Sequence, residues 1–128
     1  MTVLHFWIYT NKEIRELEPA FAKRFIVRDF YLDAENKWEY MEGKSKALNA
    51  RIDITREYSW KDYLPEEKPL HIAFIFKKRK KRQNRIDKLG RKLHRHFKTT
   101  VHYGKLRHAE GSSYDFISNR TFPDSGVS

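Results

Sequence analysis

The segment from Leu70 to Tyr103 combines the clearest structural pattern in the chain with nearly all of its net charge. Between Lys77 and Arg107 there are fourteen basic side chains against a single acid, Asp87, whereas the whole 128-residue chain has a formal net charge of +10. Burying an unpaired charge is costly, so any fold must leave most of these side chains at the surface. The basic residues are Lys77, Lys78, Arg79, Lys80, Lys81, Arg82, Arg85, Lys88, Arg91, Lys92, Arg95, Lys98, Lys105 and Arg107.

This segment predicts a unit of strand, basic helix and strand. Residues 70–76 form a short apolar run with β-branched and aromatic side chains, which is typical of a buried strand. Residues 99–103 return to a strand pattern after the helix. Gly90 lies beside the apolar stripe of the helix, where it either permits close packing against a sheet or is merely tolerated at a cost of about 1 kcal/mol relative to alanine. The stripe itself has spacings of three, four and four, and consists of Ile86, Leu89, Leu93 and Phe97.

The rest of the chain predicts several further strands and one further helix. Apolar stripes at helical spacing within residues 11–25 indicate the helix, although Pro19 interrupts the pattern. Residues 43–50 are polar and basic, and are predicted as a loop. The predicted strands are residues 3–10, a hairpin of 26–33 and 37–42, 51–58 and 114–122.

We therefore predict an α+β fold with a mainly antiparallel sheet and two helices, for which a ferredoxin-like arrangement is the simplest topology. Residues 1–122 are expected to form a single domain, and residues 123–128 a flexible C-terminal tail.

Composition excludes some chemistry. The chain has no cysteine, so it forms no disulfide and no thiolate metal site, which suits a reducing compartment. The apolar run near residues 3–9 is too short to span a membrane and lacks the basic start of a signal peptide. We expect a cytoplasmic protein that has no membrane association, bound metal or cofactor.

The local charge indicates a binding protein for a polyanion. Lysine and arginine side chains that neutralise phosphates release condensed counterions, and arginine adds bidentate geometry. The leading prediction is a non-enzymatic protein that binds the backbone of RNA or DNA through the fourteen basic residues named above. The alternative is an inhibitor or immunity-type protein that covers an acidic protein partner with the same surface.

Four histidines within or beside the basic unit, the fourth being His108, raise a weaker alternative, a small metal-independent ribonuclease. Two imidazoles can serve as general base and general acid in RNA cleavage, and the candidates are His94, His96 and His102. His94 and His96 are two positions apart on the predicted helix, so they point to different sides. Histidines among cations more often contact phosphate or solvent, and an enzymatic activity is therefore not favoured.

Overall fold

The computed structural model describes residues 2–10, 12, 16, 19, 27–35, 38–45, 48–57, 69–77, 83–108 and 114–122. These residues form one sheet of seven strands and one helix. The elements are β1 (Thr2–Ile8), β2 (Val27–Glu35), β3 (Trp38–Ser45), β4 (Ala50–Glu57), β5 (Leu70–Phe76), α1 (Gln83–Phe97), β6 (Val101–His108) and β7 (Tyr114–Phe122).

The strand order across the sheet is β2-β3-β4-β5-β1-β6-β7, and all neighbouring strands are antiparallel. Strands β2 to β5 follow one another as a meander, and β6 and β7 form a hairpin. Strand β1 lies between β5 and β6 and runs antiparallel to both, so β5 and β6 are parallel to each other. Helix α1 is therefore a crossover connection that carries the chain past β1. The predicted unit of strand, basic helix and strand is confirmed, with the helix at residues 83–97.

The predicted fold of two helices in a ferredoxin-like arrangement is wrong for the part of the chain that the structure describes. It contains one helix, and the predicted helix at residues 11–25 falls almost entirely outside the described residues. The sheet also differs, because residues 27–57 form three consecutive antiparallel strands joined by hairpins rather than by a helical crossover. Part of the predicted loop at 43–50 is strand, since β3 continues to Ser45 and only four residues separate it from β4.

The main core lies between α1 and one face of the sheet. Because side chains alternate along a strand, each central strand contributes every second residue to this face. In β1 these residues are Leu4, Phe6 and Ile8, all at most 1% exposed. Cross-strand neighbours continue the same layer, since Phe6 lies opposite Ile72 in β5 and opposite Tyr103 in β6. The strands beside β1 thus supply one continuous apolar surface for the helix.

Arg56 is a buried cation at the end of β4, on the helix side of the sheet. Its guanidinium group donates hydrogen bonds to the backbone carbonyl groups of Thr10 and Lys12. These bonds fasten the chain that leaves β1 to β4, which lies two positions away in the sheet. A buried charge is tolerated there because both terminal nitrogens of the guanidinium group, Nη1 and Nη2, donate to carbonyl oxygens.

Helix α1 packs against the sheet with the apolar stripe that the sequence predicts. Ile86, Leu89 and Leu93 are at most 3% exposed, and Phe97 packs at the edge of the core. Gly90 lies against the ring of Phe122 in β7, and a Cβ atom at this position would overlap three atoms of that ring. Gly90 therefore permits close packing against the sheet.

We predict that Gly90→Ala destabilises the protein by about 1–3 kcal/mol, as overpacking of a core does. Alanine has the higher helix propensity by about 1 kcal/mol, but the Phe122 ring is 1% exposed and has little room to move. Chemical denaturation measures the difference. Lys88→Ala, on the exposed side of the same helix, is the matched control and should change stability by less than about 0.5 kcal/mol. A stabilised Gly90→Ala variant would contradict the packing that we describe.

Candidate functional site

The solvent-facing side of α1 carries a strip of cations. Because the apolar stripe faces the sheet, Lys88, Arg91, Arg95 and Lys98 are left on the opposite side, and all four are exposed. From Lys88 to Lys98 the strip is about 15 Å long at the rise of an α-helix. None of these four side chains has an ion-pair partner among the described residues. We call these four residues the cationic strip.

The one acid of the helix does not neutralise the cationic strip. Asp87 forms an ion pair with Arg120 of β7, and the guanidinium group of Arg120 also lies 4.6 Å from the centre of the Phe122 ring. Both partners of the ion pair are partly buried. The pair therefore joins the helix to the edge of the sheet, on the same side as the contact between Gly90 and Phe122.

The helix ends at Phe97, and the next residue, Lys98, has a φ of 54° and so adopts the left-handed conformation common just after a helix. Its backbone amide donates to the carbonyl oxygen of His94 at 2.8 Å. The His94 ring in turn donates from Nδ1 to the carbonyl oxygen of Thr99 at 2.8 Å, because a carbonyl group can only accept. His94 is thus engaged in closing the helix, and His96 packs edge-on against Phe97.

The other predicted basic residues are distributed around this helix. Arg85 and Lys92 are partly buried on α1, Lys77 is exposed just after β5, and Lys105 is exposed in β6. Arg107 belongs to β6. Residues 78–82, the remaining part of the basic run, lie outside the described residues.

The third predicted histidine, His102, lies on the face of the sheet opposite the helix. Its neighbours in β6, Val101 and Tyr103, point into the core beneath α1, so the alternation of the strand turns His102 away from it. There its ring stacks on that of Trp7, with 5.7 Å between centroids, and Nδ1 lies 3.4 Å from Oγ of Ser118. The structure therefore does not bring His102 together with His94 and His96.

Two further histidines, which the sequence did not single out, share the face of His102. His71 of β5 lies opposite Trp7, and Trp7 lies opposite His102. Nε2 of His71 is 2.9 Å from Nδ1 of His5, and its Nδ1 is 3.3 Å from Oγ1 of Thr55. A hydrogen-bonded chain of Thr55, His71 and His5 thus crosses strands β4, β5 and β1. Only the strand register unites these residues, and no local sequence pattern signals it.

Two histidines of this face, His71 and His102, favour the neutral state. Burial, together with the neighbouring His5, lowers the pKa of His71 to about 3. Burial also lowers the pKa of His102. Neutral imidazoles are poor ligands for phosphate, so this face differs in charge from the cationic strip on the other side of the molecule.

Within the described ranges, no group of three or more histidine, aspartate or glutamate side chains is arranged to hold a metal ion. None of the described helical segments has both the length and the apolar character that crossing a membrane requires.

Comparison with known proteins gives no relative: the chain matches no protein-family model, no curated protein and no solved structure.

The lowered pKa of His71 predicts a loss of stability on acidification. The unfolded chain binds a proton at His71 below about pH 6.5, whereas the folded chain does so only near pH 3. Protonation therefore favours unfolding between these values, by up to about 1.4 kcal/mol per pH unit. Asp53 has the opposite effect on stability. Burial raises the pKa of its carboxyl group above 3.8, so its protonation favours the folded state.

Thermal melts from about pH 7.5 to about pH 4 test this prediction. The melting temperature of the wild type should fall steadily below about pH 6.5. The melting temperature of His71→Gln should be lower at about pH 7.5 and should fall less steeply with pH. His96→Gln removes a histidine outside the hydrogen-bonded chain and serves as the control. Equal pH dependence of wild type and His71→Gln would show that His71 does not cause the loss.

Proposed function

We propose that the protein binds the phosphate backbone of RNA or DNA, without cleaving it, through the cationic strip of α1. The observation that carries this proposal is the exposure of Lys88, Arg91, Arg95 and Lys98 on one side of the helix, with no acid paired to them in the described part of the chain. Lys77, Arg85, Lys92, Lys105, Arg107 and residues 78–82 are proposed to extend this surface.

The spacing of the cationic strip suits a linear polyanion. Side chains three or four positions apart on a helix are about 5–6 Å apart, and duplex DNA carries one charge per about 1.7 Å of its axis. Each turn of the helix can thus meet a phosphate. The four residues are all lysine or arginine, which contact phosphate oxygens whatever the base sequence. The proposal is therefore binding to the backbone.

The composition of the strip also bears on the alternative of an acidic protein partner. Protein interfaces have apolar or aromatic centres, from which most of the binding energy comes. No apolar residue interrupts the cationic strip, and the one large hydrophobic residue that is exposed in the described ranges is Ile117, in β7. These features favour a polyanion, although an inhibitor or immunity-type protein would use the same cations.

The positions of the histidines favour binding over cleavage. General acid–base cleavage of RNA needs two groups that reach the same phosphodiester. His94 is engaged with Thr99, His96 packs on Phe97, and His102 lies across the sheet from the helix. RNA bound along the cationic strip would not contact His102. For such a protein we also propose a cytoplasmic location, with which the lack of cysteine is consistent.

Salt dependence tests the proposal. Wild type should bind a labelled RNA hairpin or DNA duplex, with a logarithmic slope against salt of several units. Lys88→Gln combined with Lys98→Gln should lower that slope by about two, because each lost phosphate contact lowers it by about 0.9. Adding Arg91→Gln and Arg95→Gln should lower it by about four in total. Fluorescence anisotropy across a salt series gives these slopes, and melting curves verify folding.

Lys12→Gln combined with Lys44→Gln is the matched control, because it also removes two exposed lysines but leaves the helix intact. This variant should keep the wild-type slope. The proposal fails if wild type shows no binding at ~50 mM salt, or if the four-residue variant binds like wild type. In the first case, co-purification with an acidic protein becomes the informative measurement.

A further inference from the structure

A small pocket lies beside the first turn of α1, where three elements meet. The register pairs Ala50 of β4 with Phe76 of β5, so the turn between β3 and β4 lies beside the end of β5. The first turn of α1 forms the third wall. The pocket has a volume of about 70 Å³ and is lined by Leu48, Asn49, Phe76, Lys77 and Arg85.

Hydrogen bonding and packing hold the walls of this pocket in place. The backbone amide of Leu48 donates to Oγ of Ser45 at 3.2 Å, and Asn49 adopts a left-handed conformation with a φ of 52°. On the opposite wall, the guanidinium group of Arg85 lies 4.5 Å from the centre of the Phe76 ring. An arginine that stacks on a ring keeps its N–H donors directed outward from its edge. Ligand binding would therefore cost little conformational entropy at this site.

The charge of the pocket selects an anion. Lys77 and Arg85 both line it, and neither has an ion-pair partner among the described residues. None of the described residues that line the pocket is an acid, and the amide of Asn49 offers a neutral donor on the facing wall. Two cations and an amide together match a group that has two negative charges and several acceptor oxygens.

We propose that this pocket binds a terminal phosphate monoester, such as the phosphorylated end of a nucleic-acid strand. A phosphate monoester carries a charge of about −1.5 to −2 at neutral pH and three acceptor oxygens, as phosphorylated side chains do. An internal phosphodiester carries one charge and is flanked by sugars on both sides, so it fits a concave site less well. The pocket is far smaller than the roughly 300–1,000 Å³ of sites for drug-sized ligands, so it holds the phosphate and not a whole nucleotide.

This inference rests on the proposed function, because it assigns one end of the bound strand to a particular site. Binding of oligonucleotides that differ only at their ends separates the two claims. Labelled strands of one sequence, with a 5′-phosphate, a 3′-phosphate or hydroxyl groups at both ends, are titrated at about 150 mM salt, where general backbone binding is weakened. We expect at least one phosphorylated end to bind about tenfold more tightly than the hydroxyl-ended strand, as a charge-assisted contact would give. Inorganic phosphate should compete for the pocket and abolish the preference for a phosphorylated end.

Arg85→Gln should abolish the preference, and Asn49→Asp should also abolish it by placing a carboxylate opposite Arg85. Lys88→Gln is the matched control. It removes one charge from the next helical turn, so it should lower the affinity for all three strands equally. Melting curves establish that each variant folds. Equal affinity of wild type for all three strands would overturn this inference while leaving backbone binding intact. Loss of the preference in Lys88→Gln would also overturn it, whereas no binding of any strand would overturn the proposed function itself.

Discussion

The contact between Gly90 and the ring of Phe122 fixes the rotation of α1 about its own axis, and the rest of the surface depends on that rotation. Successive residues of a helix are about 100° apart, so the residues that face the sheet determine which residues face solvent. With Gly90 and Leu93 against the sheet, Arg91 and Arg95 must point outward. A side chain larger than hydrogen at position 90 would lift or turn the helix at this point. The smallest residue of the helix thus determines where its largest charged residues lie.

The sheet separates two kinds of polar chemistry. On the helix side, the side chains of Lys88, Arg91 and Arg95 are exposed to water. On the other side, His71 and His102 lie among aromatic and hydroxyl groups, where burial keeps them neutral. The hydrogen-bonded chain of Thr55, His71 and His5 can cross three strands without the repulsion that two imidazolium groups would cause. We therefore regard these histidines as part of the architecture of the sheet, whereas the cationic strip is the surface that we propose binds nucleic acid.

The local spacing of apolar residues was enough to predict the helix and its flanking strands. It did not predict the features that depend on pairing between distant segments of the chain. The spacing of Ile86, Leu89 and Leu93 predicts both the extent of α1 and its buried face. Nothing local indicates that β1 lies between β5 and β6, so the chain of His5 and His71 was not predicted. The pocket at Arg85 depends on the same kind of long-range register. Residues 43–45 have a polar loop composition, yet pairing with β4 holds them as strand, because cross-strand contacts outweigh intrinsic propensity.

The cationic strip lowers the stability of the helix that carries it. Arg91 and Arg95 are four positions apart, and Lys88 and Arg91 are three apart; each such like-charge pair destabilises a helix by about 0.2–0.5 kcal/mol. The single acid of α1, Asp87, forms its ion pair with Arg120 at the sheet and leaves this repulsion in place. Packing against the core compensates for it in the folded protein. A polyanion bound to the strip would screen the repulsion among its basic side chains. Relief of this repulsion would therefore contribute to the binding free energy. The same residues that destabilise the free helix are therefore those that would favour its complex with nucleic acid.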